Sequence, residues 1–323
     1  MTALARFRLV GLAIALMLSF QAASTSETPS VAVLYVAASS GASDGNPGTA
    51  AQPLASLEEA LRRAVANRAN GLSTHVWILP GIYRQSLTGT FDDNTGPAII
   101  FQSSEPHGAV VSGADRWTGW SCGGGVCVHA WPFRWGAAPN PWSGIQVGEL
   151  ARRRELVSVD GVNLGQVLSR GALTAGTFFV DEGAGELVVM PPVGVDLNAV
   201  DVEVGTRGTL VRLQGMGNVV LKGLVFTHAA SVFREAAVSI AEDSDVLLDG
   251  VAVEWNGQNG LDLMGRGLTV RDSTFNHNGS SGLQAYKVAG VQVVDSEASY
   301  NNWRGVRGGY TSWEVGQKFS AAH

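Results

Sequence analysis

Three observations on the sequence predict an all-β solenoid. A short phrase returns along the C-terminal third, where Asn256, Asn278 and Asn301 stand 22 and 23 residues apart and each precedes a Gly-Leu or Gly-Val pair. Apolar and polar residues alternate before each Asn, which is the strand period of two. The chain also holds 41 Gly in 323 residues and only 15 % charged residues, against ~25 % in typical domains. A fixed period of ~22 residues indicates stacked structural repeats.

The strands of each repeat follow from four segments that align with one another, 219–228, 246–255, 268–277 and 291–300. Each is broken by a Gly or an Asp, which predicts two short strands joined by a bend, at Gly223, Gly250, Asp272 and Asp295. A third strand is predicted after each turn, at 237–240, 260–263, 282–285 and 305–308. Three short strands per ~22-residue turn predict a right-handed parallel β-helix.

In such a coil Asn256, Asn278 and Asn301 occupy the same tight turn on successive turns of the helix. Asn tolerates left-handed backbone conformations, and identical amides stacked at ~4.8 Å can bond along the stack. We therefore interpret these three residues as a structural ladder rather than a catalytic column.

The N-terminal end predicts export. Residues 1–23 read as a signal peptide, with Arg6 and Arg8, an apolar core at 9–20 and small residues behind it. The core is too short to span a bilayer comfortably, although a retained anchor is the alternative. We expect a secreted chain, extracellular or periplasmic, without a membrane span after cleavage. In that compartment Cys122 and Cys127 are predicted to form a disulfide, the alternative being half a metal site.

The remaining organisation divides into three regions. Residues 31–114 are predicted as an N-terminal cap and first coils, with strands near 34–37, 75–83, 98–104 and 109–114. Ser56 and Glu59 form a capping box for a helix over 56–68 that covers the open first coil. Residues 115–205 depart from the period and, with DG and AG turns, predict an inserted antiparallel β-subdomain. Coils resume over 206–323, and the last is broken off, so a C-terminally incomplete solenoid is expected.

The stretch YVAASSGASDGNPGTAAQPLASLEEAL, followed by ILPGIY, resembles the start of secreted bacterial right-handed β-helix proteins of the pectate-lyase-like superfamily. The phrases VSVDGVNLGQV and GTFFVDEGAGELVV resemble the β-domain inserted in some members, including β-helix xylosidases. The superfamily contains polysaccharide lyases and glycoside hydrolases. The resemblance implies a carbohydrate-active protein, and in xylosidase-like members the catalytic carboxylates lie on later coils.

Candidate catalytic residues come from the outward columns. Glycoside hydrolysis needs two carboxylates, and Glu254 and Asp262 flank the Asn256 turn on one coil, although solvated surface acids are the plainer interpretation. A lyase needs a base and a cation, which Arg307 and Lys318, with Arg304, could supply. Arg307 is predicted in the outward column of Ser239, Asp262 and Gln284.

A sugar-contacting lip is predicted over 301–313, beside the face that carries Asp262. It consists of aromatic and basic residues, Trp303, Arg304, Arg307, Tyr310 and Trp313. Aromatic rings pack on the apolar faces of sugars while Arg reaches their hydroxyls, but packing of the rings on the coil is the alternative. Two other columns are interpreted as structural, a salt-bridge ladder at Lys222, Asp249 and Arg271 and a ring stack at His228, Trp255, His277 and Tyr300.

The charge of the chain limits the classes of partner that it can be expected to bind. The formal net charge is −6 and no basic stripe occurs, which argues against nucleic acid. No metal site or cofactor is predicted, because the acids at 243, 245 and 249 match no calcium loop, and calcium enters only for a lyase. The leading hypothesis is a monomeric, secreted protein that hydrolyses or eliminates glycosidic bonds in an extracellular polysaccharide. A non-catalytic carbohydrate-binding or cell-surface protein is the alternative.

Overall fold

A computed structural model describes residues 31–144 and 146–305, and the backbone of 317–320. The predicted signal peptide therefore lies outside the described residues. The coil strands are β1 (Val31–Val36), β2 (Ser73–Ile78), β3 (Gly81–Tyr83), β4 (Leu87–Asp93), β5 (Ile99–Ser103) and β6 (Ala109–Ser112). The strands that follow belong to the insert: β7 (Ala114–Arg116), β8 (Ser121–Gly123), β9 (Val126–Ala130), β10 (Val157–Val159), β11 (Val162–Asn163), β12 (Gly165–Gln166), β13 (Thr177–Asp181), β14 (Glu186–Met190) and β15 (Val202–Gly205).

The later coil strands are β16 (Val211–Lys222), β17 (Val225–Thr227), β18 (Ala236–Asp249), β19 (Ala252–Glu254), β20 (Asn259–Arg266), β21 (Thr269–Arg271), β22 (Leu283–Ala289), β23 (Gln292–Val294) and β24 (Gln317–Ser320). Helix α1 spans Leu57–Ala69 and helix α2 spans Glu149–Arg152, and a single 3₁₀ turn covers Arg170–Ala172.

Parallel pairing arranges the coil strands in three stacks. Stack 1 contains β4, the first halves of β16 and β18, then β20, β22 and β24. Stack 2 contains β1, β2, β5, the second halves of β16 and β18, then β21 and β23. Stack 3 contains β3, β6, β17 and β19. The architecture is the predicted all-β right-handed parallel β-helix.

The bends between stacks 2 and 3 lie where the sequence breaks its alternation. Gly223, Gly250, Asp272 and Asp295 all have left-handed backbones, with φ of 63°, 61°, 50° and 48°. Gly and Asp adopt this conformation at low cost, so the alternation resumes on a new face after each bend. The predicted inward residues line the core, since Val246, Leu248, Val251 and Val253 are at most 1 % exposed.

The amides of the third turn are hydrogen-bonded along the helix axis. Asn256 Nδ2 donates to Asn278 Oδ1 at 3.0 Å, and Asn278 Nδ2 donates to Asn301 Oδ1 at 3.1 Å. Each amide nitrogen also donates to a carbonyl of the coil before it, at Phe226, Val253 and Phe275. Asn256 and Asn278 are fully buried, so these bonds satisfy polar groups that water does not reach.

Helix α1 covers the first coil with an apolar face of Leu57, Ala60, Leu61 and Ala64, which are at most 4 % exposed. Ser56 Oγ accepts from Glu59 N at 3.1 Å, which is half of a capping box. The other half differs from the prediction, because Asp44 Oδ1 accepts from Ser56 N while Glu59 pairs with Arg62 and Arg63.

The insert consists of two sheets, ordered β11-β10-β15-β7 and β12-β13-β14-β9-β8. Its first and last strands, β7 and β15, pair antiparallel, which returns the chain to the coil where it left. The predicted disulfide between Cys122 and Cys127 joins β8 to β9. No helix among the described residues is both long and apolar enough to cross a membrane.

The register of the last coil differs from the predicted one, because β24 pairs with β22 and puts Lys318 opposite Gln284. The predicted strand 305–308 lies, beyond Gly305, outside the described residues. The Gly-Val pair after Asn301 resembles the earlier Gly-Leu pairs, but Gly305 has φ of 61° and ends a turn at Trp303–Arg304. The predicted place of Arg307 in this column is therefore also wrong, and Arg307 itself lies outside the described residues.

Candidate functional site

The insert docks on the Asn turn of the coil through residues 150–156. Gln258 Nε2 donates to the carbonyls of Ala151 and Arg153, at 2.9 and 3.1 Å. Gly257 packs against Leu156, which lies within 3.5 Å of where a Cβ would be. Because the turn joins stack 3 to stack 1, the docked segment separates the outer faces of these stacks.

On the stack 1 side, Asp262 lies in an outward column whose register runs through Arg212, Ser239, Asp262, Gln284 and Lys318. Its carboxyl is half-buried, and Asn259 Nδ2 lies 3.4 Å from Oδ1. Burial raises the pKa of Asp262 to about 7, and the negative charge of Glu235 adds to the rise, while Asn259 and Arg234 oppose it. A substantial share of this carboxyl therefore still holds its proton near neutral pH, unlike an ordinary surface Asp.

Glu235 is the carboxylate that the sequence analysis missed. It immediately precedes β18, and its carbonyl accepts from Asn259 N at 3.2 Å. Its side chain is exposed and lies 3.8 Å from the guanidinium of Arg212. Glu235 and Asp262 therefore come from successive coils and interact on one face. Aligning the repeats did not point to Glu235, because residues 228–235 belong to the one coil that is longer than the others and have no counterparts in them.

The structure does not bring Glu254 and Asp262 together. Glu254 ends β19 in stack 3, whereas Asp262 lies in β20 of stack 1. The segment 150–156 is packed on the turn between them. The predicted pair thus lacks the shared face that two-carboxylate chemistry requires.

Arg304 and Trp303 lie on the stack 3 side of the insert and not beside Asp262 as predicted. Trp303 Nε1 donates to the carbonyl of His277 at 2.9 Å. Arg304 donates to Leu150 O, Gln166 Oε1 and Glu155 O at 3.3, 3.1 and 2.6 Å. Burial lowers the pKa of Arg304 to about 10. Its guanidinium joins the insert to the coil, so Arg304 does not project freely from the surface, and contact of Trp303 and Arg304 with a sugar stays a prediction.

A cleft of about 360 Å³ opens beside this join. Its walls include aromatic, amide and cationic side chains, Trp255, Trp303, Asn163, Gln166 and Arg304. Trp255 belongs to the predicted ring stack. The ring centroids of Trp255 and His277 are 4.2 Å apart, and those of His277 and Tyr300 are 5.0 Å apart. The remaining predicted lip residues, Tyr310 and Trp313, fall outside the described residues, and for Lys318 only the backbone is described.

Among the described residues, no group of three or more His, Cys, Asp or Glu side chains is placed to hold a metal ion. The salt-bridge column is ion-paired, with Lys222 Nζ and Arg271 Nη2 at 3.0 and 2.9 Å from Asp249 Oδ2. Hydrogen bonds from Arg271, together with those from Lys222, lower the pKa of Asp249 below its usual range.

Comparison with known proteins places the chain among β-helices. Residues 209–312 match the family model described as "Right handed beta helix region". The sequence matches none of the curated proteins.

Two solved structures share the fold. The structure of XylC in complex with xylose is similar over 89 % of this chain and 56 % of that chain, with 13 % identity and a TM-score of 0.69. A structure described as a glycoside hydrolase is similar over 81 % of this chain and 73 % of that one, with 16 % identity and a TM-score of 0.55. The chain thus spans little more than half the length of XylC. Its fold is that of the right-handed parallel β-helix proteins.

Proposed function

We propose that the protein is an exported, carbohydrate-active enzyme that hydrolyses glycosidic bonds in an extracellular polysaccharide. The observation that carries the proposal is the pair formed by Asp262 and Glu235. The first is a carboxyl whose pKa is raised to about 7, and the second is an exposed carboxylate whose charge contributes to that rise. Glycoside hydrolysis uses two carboxyl groups, one of which holds a proton for the leaving group.

In this reaction Asp262 donates its proton to the leaving glycosidic oxygen. The carboxylate of Glu235 then acts on the other side of the bond, either as the base for a water molecule or as the nucleophile. Arg212 is positioned to hold the Glu235 carboxylate. The similarity in fold to a glycoside hydrolase and to XylC, which was solved with xylose, supports this chemistry by analogy only.

Hydrolysis fits the described side chains better than elimination. Elimination needs a free basic group beside a cation that neutralises a uronate carboxylate. Lys222 and Arg271 are both engaged with Asp249. Calcium, Arg307 and Lys318 remain part of the elimination hypothesis.

Export is proposed on the signal-like sequence at 1–23 and on the disulfide. Disulfides persist in oxidising compartments and are rare in the cytosol. The Cys122–Cys127 bond lies in a hairpin whose Cys122 is exposed, so a reducing compartment would keep it open.

The test measures turnover of neutral and acidic oligosaccharides by the wild type and by Asp262→Asn and Glu235→Gln. Each variant should lower kcat/KM by about 100-fold or more, as expected for loss of general acid–base catalysis. Glu254→Gln is the matched control, because that carboxylate lies on the same coil but on another stack. The wild-type kcat/KM should fall as the pH rises through about 7, where Asp262 loses its proton. Equal activity of Asp262→Asn and wild type would refute the assignment, and an unsaturated product would replace hydrolysis by elimination.

The cleft beside Arg304 favours the second candidate function, non-catalytic carbohydrate binding. Residues of both the insert and the coil line this cleft, and Asp262 is not one of them. Binding of an oligosaccharide without turnover by the full-length protein would favour this candidate.

A further inference from the structure

We propose that Asn259 is a positioning residue that holds Asp262 and the segment of Glu235 in place for the proposed hydrolysis, on which this inference rests. Asn259 is the first residue of β20 and lies three residues before Asp262. Its side chain is fully buried, so it does not contact a substrate and acts on the reaction only through its neighbours.

The amide nitrogen of Asn259 is bonded to both segments that carry the two acids. Nδ2 donates to the carbonyl of Arg234 at 3.0 Å and to Oδ1 of Asp262 at 3.4 Å. The backbone N of Asn259 donates to Glu235 O at 3.2 Å. Three bonds from one buried residue therefore connect two successive coils where the proposed acid and the proposed carboxylate interact.

The other end of the amide is held by the following coil. Ser281 N donates to Asn259 Oδ1 at 3.4 Å. Because a backbone N–H can only donate, the oxygen is the end of the amide that faces it, and Nδ2 is left to face Arg234 and Asp262. The orientation of the amide is thus fixed by contacts on both sides.

The segment of Glu235 needs such support because its backbone is strained. Arg234 has φ of 75°, a left-handed conformation that residues other than Gly adopt rarely and at a cost. It persists only where the surrounding structure fixes it. The bond from Asn259 Nδ2 to Arg234 O, with that from Glu235 N to Val232 O at 2.8 Å, fixes this turn. Asn259 therefore helps to present Glu235 beside Asp262.

The coil repeat itself does not require an amide at this position. The register pairs Asn259 with Ala236 in the coil before it, and Ser281 holds the same position in the coil after it, 22 residues along the chain. Ser281 Oγ accepts from Gln284 Nε2 at 3.0 Å, so this position again contacts the outward residue three places on. Small side chains satisfy the fold here, and the amide is explained by its contact with Asp262.

The bond from Asn259 also acts on the proton of Asp262. Burial raises the pKa of Asp262, and the bond from Asn259 is the strongest influence that opposes the rise, since a donor favours the charged form. Of the charged groups nearby, Glu235 raises this pKa and Arg234 lowers it, while Arg212 lies 3.8 Å from Glu235. Loss of the amide should therefore raise the pKa of Asp262 further.

The experiment compares the full-length wild type with Asn259→Ala, which copies the equivalent Ala236 of the preceding coil. Titration of the Asp262 carboxyl is followed by carbon NMR, with the signal assigned from its absence in Asp262→Asn. The pH profiles of kcat and KM are measured with xylotetraose, cellotetraose and tetragalacturonate. In Asn259→Ala, Asp262 should titrate at higher pH than in the wild type. The kcat should fall about 10-fold or more with KM little changed, because the reacting groups move while the substrate contacts remain.

Two further variants separate this role from a structural one. Ser281→Ala is the matched control, because it removes a buried polar side chain one coil along that bonds Gln284 instead of Asp262, and it should change neither measurement. Asn259→Ser replaces Asn259→Ala if the latter does not fold, and it should act in the same direction, since one hydroxyl hydrogen cannot serve both Arg234 O and Asp262.

The inference is overturned if Asp262 titrates in the folded variant as it does in the wild type, if kcat is unchanged, or if Ser281→Ala reproduces both effects. A wild type that cleaves none of the probes refutes the proposed hydrolysis instead. The titration then decides alone whether Asn259 controls the proton of Asp262.

Discussion

Replacing Asn278 with Ala tests the idea that the amide ladder holds the coils in register. The side chain is fully buried, and its Oδ1 accepts from Nδ2 and N of Asn256, at 3.0 and 3.3 Å. Its Nδ2 donates to Val253 O at 2.9 Å and to Asn301 Oδ1 at 3.1 Å. The substitution removes all four bonds at once, and their partners lie on the two neighbouring coils, at Val253 and Asn256 on one side and at Asn301 on the other.

The magnitude follows from the groups left without a partner. Nδ2 of Asn256 keeps its bond to Phe226 O, and Asn301 Oδ1 keeps the bond from the backbone N of residue 278. Asn256 N and Val253 O lose the bonds that the side chain supplied. At ~1–3 kcal/mol for each of these two buried unsatisfied groups, the free energy of unfolding should fall by about 2–6 kcal/mol.

The assay is urea unfolding followed by circular dichroism, with the midpoint and slope converted to a free energy. Asn278→Asp keeps the shape of the side chain but places a carboxylate oxygen against the oxygens of Val253 and Asn301. At neutral pH it should therefore lower the free energy of unfolding at least as much as Asn278→Ala does. Gln292→Ala on the exposed face of stack 2 is the control, and it should stay within ~0.5 kcal/mol of wild type. If Asn278→Ala loses no more than Gln292→Ala, the ladder does not stabilise the coil.

Three further predictions concern other buried or paired groups. Asp243 is 1 % exposed, and burial raises its pKa to about 6, against ~4 in the unfolded state. As the pH rises, the unfolded state therefore releases this proton before the folded state does. The free energy of unfolding of the wild type should fall by about 3 kcal/mol between about pH 4 and pH 6. Asp243→Asn should flatten this loss, so that in thermal melts its stability relative to wild type is higher near pH 8 than near pH 4, and an unchanged pH profile would contradict the assignment. Asp249→Asn should lower the free energy of unfolding by ~1 kcal/mol, less in molar salt, because it removes the ion pairs to Lys222 and Arg271; a loss that salt does not reduce would exclude an ionic origin. Replacing both Cys122 and Cys127 with Ser should cost about 2 kcal/mol by freeing a short loop, and a reductant should match this in the wild type but leave the double variant unaffected.

The sequence predicted the coil because its signals are local and repeated. The left-handed bends need Gly or Asp, as at Gly250 and Asp272, and the buried turn needs an amide, as at Asn278. The strands show alternating apolar and polar residues. Each of these features can therefore be recognised in the local sequence. The predicted register differs from the structure at the last coil. The stretch after Asn301 begins like earlier third strands, but the described strand that pairs with β22 is Gln317–Ser320.

The candidate sites were harder to predict because they depend on contacts between distant segments. Arg304 resembles a surface residue in its local sequence, and only the insert, whose Glu155 and Gln166 precede it by about 140 residues, buries it. Glu235 lies in the extra residues of one coil, so aligning the repeats assigns it no column. Asp262 was found from its column, but its raised pKa comes chiefly from burial, which the column does not reveal, with a smaller contribution from the charge of Glu235.

The cleft beside Arg304 lies against the insert, because a stack of coil strands alone presents a surface without walls. A stack presents a regular surface on which successive side chains stand ~4.8 Å apart, and pairs such as Lys222 and Asp249 satisfy one another there. A wall is needed to exclude water and to perturb a pKa. The insert supplies that wall at the Asn turn, through bonds from Gln258 and Arg304 to its backbone. The amide ladder of Asn256, Asn278 and Asn301 lies beneath this turn and fixes its backbone. The position of the insert segment 150–156 on the coil therefore depends on the coil repeat.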